Sequence, residues 1–138
     1  MYLILSIALP IPADKLFDYY VESDETLHVG KRVLVPFGSR KLTGVVVKQR
    51  KEKQIDKLKH VTEILDEIPI FPRNLLELTK WISEYYICSW GESLKAALPT
   101  GMSPESVLKV SVINYPGKEE IEKMIKKAPK RAQLLQEI

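Results

Sequence analysis

Phe17-Asp18-Tyr19 sets a carboxylate between two aromatic rings, and no other triplet in the chain carries as much chemical content. Side chains alternate along an extended backbone, so Phe17 and Tyr19 share one face there and Asp18 takes the other. Two arrangements fit this pattern. In one, both rings are core and Asp18 is a surface charge. In the other, rings and backbone wall a small pocket for a base, and the carboxylate accepts a hydroxyl proton. Stacking of a base on an aromatic ring is worth about 1–3 kcal/mol and tolerates any sequence. A carboxylate repels phosphate, so beside a nucleic acid it needs a donor such as a sugar hydroxyl or a base edge.

Other chemistries find little support. The single cysteine, Cys88, has no charged neighbour within three residues, follows an apolar run, and reads as a buried structural thiol. His28 and His60 stand thirty-two residues apart with no further soft ligand near them, which leaves no metal cluster and no Ser-His-Asp triad. The six glycines (30, 38, 44, 91, 101, 117) fall at neither the phosphate-loop nor the dinucleotide-fold spacing. No pair of carboxylates is placed together for acid–base work. The expectation is a binding module and not an enzyme, with no cofactor of its own.

The 138 residues carry a net charge of +3, and that small sum hides a pattern. Residues 31–60 hold ten basic and two acidic side chains, net +8, while 1–30 and 61–105 are each net −4 and 106–138 is net +3. A cationic block of this kind is an electrostatic footprint for a polyanion, or else the solvated face of strands and a loop. Residues 1–13 form the longest uncharged stretch but contain Pro10 and Pro12 and lack a basic start. A membrane helix needs about 20 apolar residues, so this stretch is read as mature chain, neither a span nor a signal peptide.

The elements that must position these residues change period near residue 72. Before it, residues 2–9, 17–21, 32–37, 42–49 and 60–65 are short β-rich runs separated by turn chemistry, which predicts a small antiparallel barrel of about five strands. Pro36 implies a sheet edge or strand end, and Gly44 a bulge or close backbone approach. Residues 50–57 read as a charged loop. After it, Leu75, Leu76, Leu78, Thr79, Ile82, Tyr85 and Tyr86 recur at helical spacing over 73–87. Trp90-Gly91 is expected to break that helix, with a second over 92–98 and both packed on the barrel. Pro99 to Pro104 marks a boundary, giving domains 1–103 and 104–138. In the latter, Leu108, Val110 and Val112 alternate as a strand, and helices follow over 118–127 and from Pro129 to the end. Leu134, Leu135 and Ile138 still need a partner there, so the chain reads as part of a longer protein.

These runs together resemble a known family. ALPIP, the FDY triplet seven residues after Pro10, GKRVLVPFG, GVVV, LKHVTEILDEIPIF and WISEYYICSWGESLKAALPTG are similar, in that order, to the N-terminal region of the PriA family of bacterial replication-restart helicases (primosomal protein N-prime). The likeness covers residues 3–101, and 106–138 resemble the start of that family's winged-helix domain. The overall expectation is thus α+β: a barrel with two packed helices, then a partial winged helix. The resemblance implies a domain that receives the 3′ end of the nascent leading strand at forked or branched DNA. By it, Phe17, Asp18, Tyr19, Gly38 and Lys59 build the pocket. Asp18 meets the terminal 3′-hydroxyl, Gly38 lets backbone approach the terminal base, and Lys59 donates to base or sugar. Arg40 and Lys41, beside Gly38, are assigned backbone phosphates.

The resemblance implies ATP-driven 3′ to 5′ helicase activity for the full-length family, and places the ATP site and the zinc in domains outside this chain. Other domains of the same polypeptide, primosome proteins and single-stranded-DNA-binding protein are implied as further partners, with no membrane and a cytoplasmic, nucleoid-associated location. The competing reading is a protein-interaction or scaffolding barrel that touches no DNA.

Overall fold

The structure, a computed structural model, describes residues 1–22, 27–102 and 116–137. It divides into two compact units, Met1–Glu105 and Ser106–Ile138. The first contains strands β1 (Tyr2–Ala8), β2 (Phe17–Val21), β3 (Arg32–Phe37), β4 (Arg40–Glu52), β5 (Lys59–His60) and β6 (Glu63–Ile64), then helices α1 (Arg73–Tyr86) and α2 (Trp90–Ala97). They form one six-stranded sheet in the order β5-β2-β1-β4-β3-β6.

The sheet is mixed, with six strands where about five antiparallel ones were expected. β5 runs parallel to β2, and the other pairings are antiparallel. The difference lies in residues 60–65, which do not form one strand. Lys59 and His60 pair with β2, and Glu63 and Ile64 pair with β3. Between them Val61 N donates to Tyr20 O at 3.0 Å and Thr62 N to Leu34 O at 2.8 Å. One short segment therefore satisfies both edge strands and curls the sheet into a barrel-like form, covering edges that would otherwise expose unpaired backbone.

Alternation along β1 sorts side chains to two faces. Leu3, Leu5 and Ile7 join Leu9, Tyr19, Val21, Val33, Val35, Val46 and Val61 inside the curl. Ala8, Val45 and Val47 lie outside and meet Phe71, Leu76 and Leu94 of the helical layer. Val46 and Val47 thus take opposite faces, and strict alternation would return Lys48 to the interior. A register shift between Ser6 and Ile7 prevents this: Ile7 lies opposite Val46, but Ser6 lies opposite Lys48. The extra residue is a bulge, and it keeps the lysine outside. At Gly44, where a bulge or a close backbone approach was expected, the structure has the close approach, since a Cβ there would meet Ile7 Cγ2 at 2.4 Å.

Two further expectations are corrected. β4 does not stop at residue 49, because Arg50, Lys51 and Glu52 stay in register with Ile4, Leu3 and Tyr2. Trp90-Gly91 starts α2. Ser89 Oγ accepts from Glu92 N at 3.1 Å while Ser89 N donates to Glu92 Oε2 at 2.9 Å, a reciprocal cap. Gly91 belongs in this first turn because a Cβ would lie 1.8 Å from Leu9 O, so α2 rests directly on the chain leaving β1.

In the second unit, α3 (Lys118–Lys127) and α4 (Pro129–Glu137) pack on each other. The expected strand through Leu108, Val110 and Val112 lies outside the described residues. A helix pair alone does not establish a winged helix. Among the described residues, no helix is long and apolar enough to cross a membrane.

Candidate nucleic-acid interface

β2 and the end of β3 meet at one mouth of the curl. Phe17 packs edge-on against Phe37, ring centroids 5.4 Å apart. Tyr19 is buried in the inner core, and its hydroxyl donates to Pro36 O at 2.9 Å. Burial raises the Tyr19 phenol above its ordinary pKa. Pro36 is tolerated because β6 pairs only with Val33 and Leu34, so no ladder bond is lost at the strand end. β3 then turns into β4 through Gly38, whose φ of +61° is natural to glycine. A Cβ at Gly38 would meet nothing within 4 Å, so its outer side is open. Across the gap the chain arrives through Lys57, also left-handed at φ 56°, and is held by the Lys59–Tyr19 pairing.

The result is an open cleft of about 260 Å³. Phe17, Asp18, Tyr19, Gly38 and Lys59 all line it, joined by Pro36, Phe37, Lys57 and Leu58. Arg40 and Lys41 are not brought into it. They are exposed at the start of β4, on the far side of the turn.

Asp18 is neither a loose surface charge nor unengaged. Its Oδ1 accepts from Ser6 Oγ at 2.7 Å and its Oδ2 from Arg50 Nη2 at 2.9 Å. Burial alone would raise its pKa, but the hydrogen bonds from Arg50 and Ser6 and the Arg50 charge outweigh it and hold the carboxyl below its ordinary value. Arg50 is raised in turn, first by the bond to Asp18 and then by Glu52, whose Oε1 accepts from its Nε at 2.7 Å. Each carboxylate oxygen keeps a second lone pair, so Asp18 can still accept a hydrogen bond from a hydroxyl. The cleft thus offers two lysines, an aromatic wall and an open glycine turn, with Asp18 among its lining residues and its carboxylate held by Ser6 and Arg50.

Sequence reasoning missed Arg50, Lys57 and Lys15. Lys15 Nζ lies 4.9 Å from the Phe17 ring centroid, and only its two-residue offset from Phe17 hinted at that. The Arg50–Asp18 pair depends on β1 lying between β2 and β4, and nothing local signals it. A second, larger groove of about 810 Å³ runs along α1, with Leu76, Trp81 and Trp90 among its walls. Beside it Trp81 and Tyr85 stack at 5.2 Å while both remain exposed. Among the described residues no three His, Cys, Asp or Glu side chains converge as a metal site.

Comparison with known proteins places the chain. Residues 6–99 match the family described as the PriA 3′DNA-binding domain (3′BD). Three similar proteins are each named replication restart protein PriA. The one from Haemophilus influenzae is 37% identical over 109 residues, covering 77% of this chain and 15% of its own length. The Rickettsia felis protein is 35% identical over 99 residues, 70% of this chain and 15% of its length. That of Treponema pallidum is 30% identical over 105 residues, 70% of this chain and 16% of its length. The chain therefore spans about 15% of the relatives it resembles.

Proposed function

This chain belongs to the PriA 3′DNA-binding-domain family, and from that membership we propose that it recognises the 3′-hydroxyl end of a DNA strand at forked or branched DNA. The observation that carries the reading is the convergence of Phe17, Asp18, Tyr19, Gly38 and Lys59 on one cleft. The terminal nucleotide enters beside Gly38, where open space lets backbone reach the base without regard to its identity. Asp18 accepts a hydrogen bond from the 3′-hydroxyl, and Lys59, with Lys57, donates to base, sugar or the last phosphate. The cations of residues 31–60, Arg40 and Lys41 among them, supply sequence-independent attraction to the backbone, which weakens with salt.

The full-length protein is, on this reading, a cytoplasmic, nucleoid-associated ATP-dependent 3′ to 5′ helicase that acts in replication restart. Its ATP and zinc sites, and its contacts with primosome proteins and single-stranded-DNA-binding protein, lie in other domains, and residues 104–138 begin a winged helix. A second reading, a protein-interaction barrel, draws on the exposed Trp81–Tyr85 stack. On that reading the barrel touches no DNA, and the stack shares no residue with the cleft.

Fluorescence anisotropy with forked oligonucleotides tests the proposal. A 3′-phosphate sets a second anion against Asp18, so affinity should fall about tenfold relative to a 3′-hydroxyl, a difference of about 1.4 kcal/mol. Asp18→Ala should narrow that ratio more than it lowers general DNA affinity. Equal affinity of the unaltered protein for both ends would sink the mechanism.

A further inference from the structure

A separate concave site lies on the outer face of the sheet, where Lys15, Lys48 and Lys80 line a pocket of about 270 Å³ against Trp90. The three lysines come from three places in the chain: the segment between β1 and β2, strand β4, and helix α1. Lys80 Nζ stands 5.3 Å from the centroid of the Trp90 ring. Trp90 is itself fixed, its Nε1 donating to Thr79 Oγ1 at 3.1 Å. Asp14 is the sole carboxylate in the lining. Lys80 also meets Glu84 at 3.4 Å, an exposed pair of the kind that contributes little. Among the described residues, neither Lys15 nor Lys48 has a carboxylate partner.

The fold has gone out of its way to keep one of these charges here. Without the bulge opposite Ser6 and Ile7, Lys48 would turn toward the barrel interior. Bringing like charges together in a concavity is unfavourable by itself and favourable toward an anion, because the low-dielectric walls focus the field. Lys15 joins the two sites. It lines this pocket, and its Nζ lies 4.9 Å from the ring of Phe17, which walls the cleft.

We propose that this pocket holds a backbone phosphate of the same strand whose 3′ terminus occupies the cleft, with Lys15 spanning the step between them. The proposal rests on the end-binding reading for the direction of the strand. The ligand class is the phosphodiester of single-stranded DNA, recognised as charge and not as sequence, since lysine meets phosphate as a point charge.

The test uses anisotropy titrations with dye-labelled oligothymidylates ending in a 3′-hydroxyl, two or eight nucleotides long, at several salt concentrations. Lys48→Gln and Lys15→Gln should each weaken the octamer several-fold more than the dimer. The slope of log affinity against log salt for the octamer should fall by about 0.7 per lysine removed. An unchanged octamer affinity and slope in both variants overturns the phosphate pocket, while the preference for 3′-hydroxyl over 3′-phosphate still stands on its own. Absence of that preference in the unaltered protein instead sinks the end reading, and the pocket is then judged by the salt slope alone. If Lys48→Gln weakens binding of an oligo-aspartate peptide but not of the octamer, the pocket is a peptide site and the proposal fails.

Discussion

Asp18 keeps its charge because two opposing influences are resolved in favour of ionisation. Burial disfavours the carboxylate, and Arg50 with Ser6 restores it, leaving its pKa below the ordinary value. A carboxyl lowered on folding contributes stability that is present above the unfolded pKa and lost as pH falls through the folded one. The pair is partly exposed, at 33% for Asp18 and 48% for Arg50. Solvent screening therefore limits its contribution to about 0.5–1 kcal/mol. Arg50→Gln leaves the burial and removes the main opposing partner, so Asp18 should titrate at a higher pH. Carboxyl-carbon NMR titration reads this directly, and an unmoved or lower midpoint would show that Arg50 does not hold the charge. End recognition should weaken over the same acid range, since a protonated Asp18 no longer accepts on that oxygen. The triplet itself was legible from residue types alone, because a carboxylate between two rings is unusual enough to stand out. Its partner was not, because Arg50 is thirty-two residues away and reaches Asp18 only across β1.

Helices α1 and α2 show where local patterns inform and where they mislead. The apolar spacing over residues 73–87 located α1 almost to the residue, because a long amphipathic period is a strong signal. Trp90-Gly91 misled, because its glycine is required by contact with Leu9 O, a tertiary demand with no local signature. The two halves of residues 59–64 misled for a similar reason: apolar Val61 and Ile64 sit in one short run, but their neighbours pair with different strands. The turn between the helices carries its own strain. Ile87 ends α1 in the left-handed region, at φ 54° and ψ 48°, and is 93% exposed. A β-branched residue there costs about 1–2 kcal/mol relative to a residue free of Cβ, and its side chain recovers almost nothing by packing. Ile87→Gly should therefore stabilise the protein by about 1 kcal/mol in chemical denaturation, with some of the gain offset by unfolded-state entropy. A loss of stability would mean that Ile87 makes a contact that outweighs its backbone strain.

At the scale of the whole first unit, the curl of the sheet and the cleft are held by the same segment. Residues 59–64 bond to both edge strands, and Lys57, Leu58 and Lys59 form one wall of the cleft. Just beyond them Asp66 fastens the segment to β3. Its Oδ2 accepts from Arg32 N at 2.8 Å and Nε at 3.0 Å, and its Oδ1 accepts from Arg32 Nη2 at 2.7 Å. Leu65 N adds a bond to Arg32 O at 3.0 Å, and Arg32 also donates to the carbonyl of Met102. This pair is 13% and 7% exposed, far less than Arg50 and Asp18, so water does little to screen it. Burial on its own would raise Asp66, but Arg32 holds it below its ordinary pKa. Removing one member of such a pair strands the other, at a cost of about 3 kcal/mol or more. Asp66→Ala should lower stability by about that amount, within the range a small domain can lose and still fold. The loss should be local first: amide exchange at Val61 and Thr62 should accelerate more than at the centres of β1 and β4. Affinity for 3′-hydroxyl ends should fall in step, because Lys57 and Lys59 lose their anchorage before the sheet does. Asp66→Asn, which keeps the acceptor for Arg32 N, should lie between Asp66→Ala and the unaltered protein. If Asp66→Ala costs less than about 1 kcal/mol, the geometry of this pair is not what closes the curl. If exchange rises evenly across the sheet, closure and cleft are not one cooperative unit.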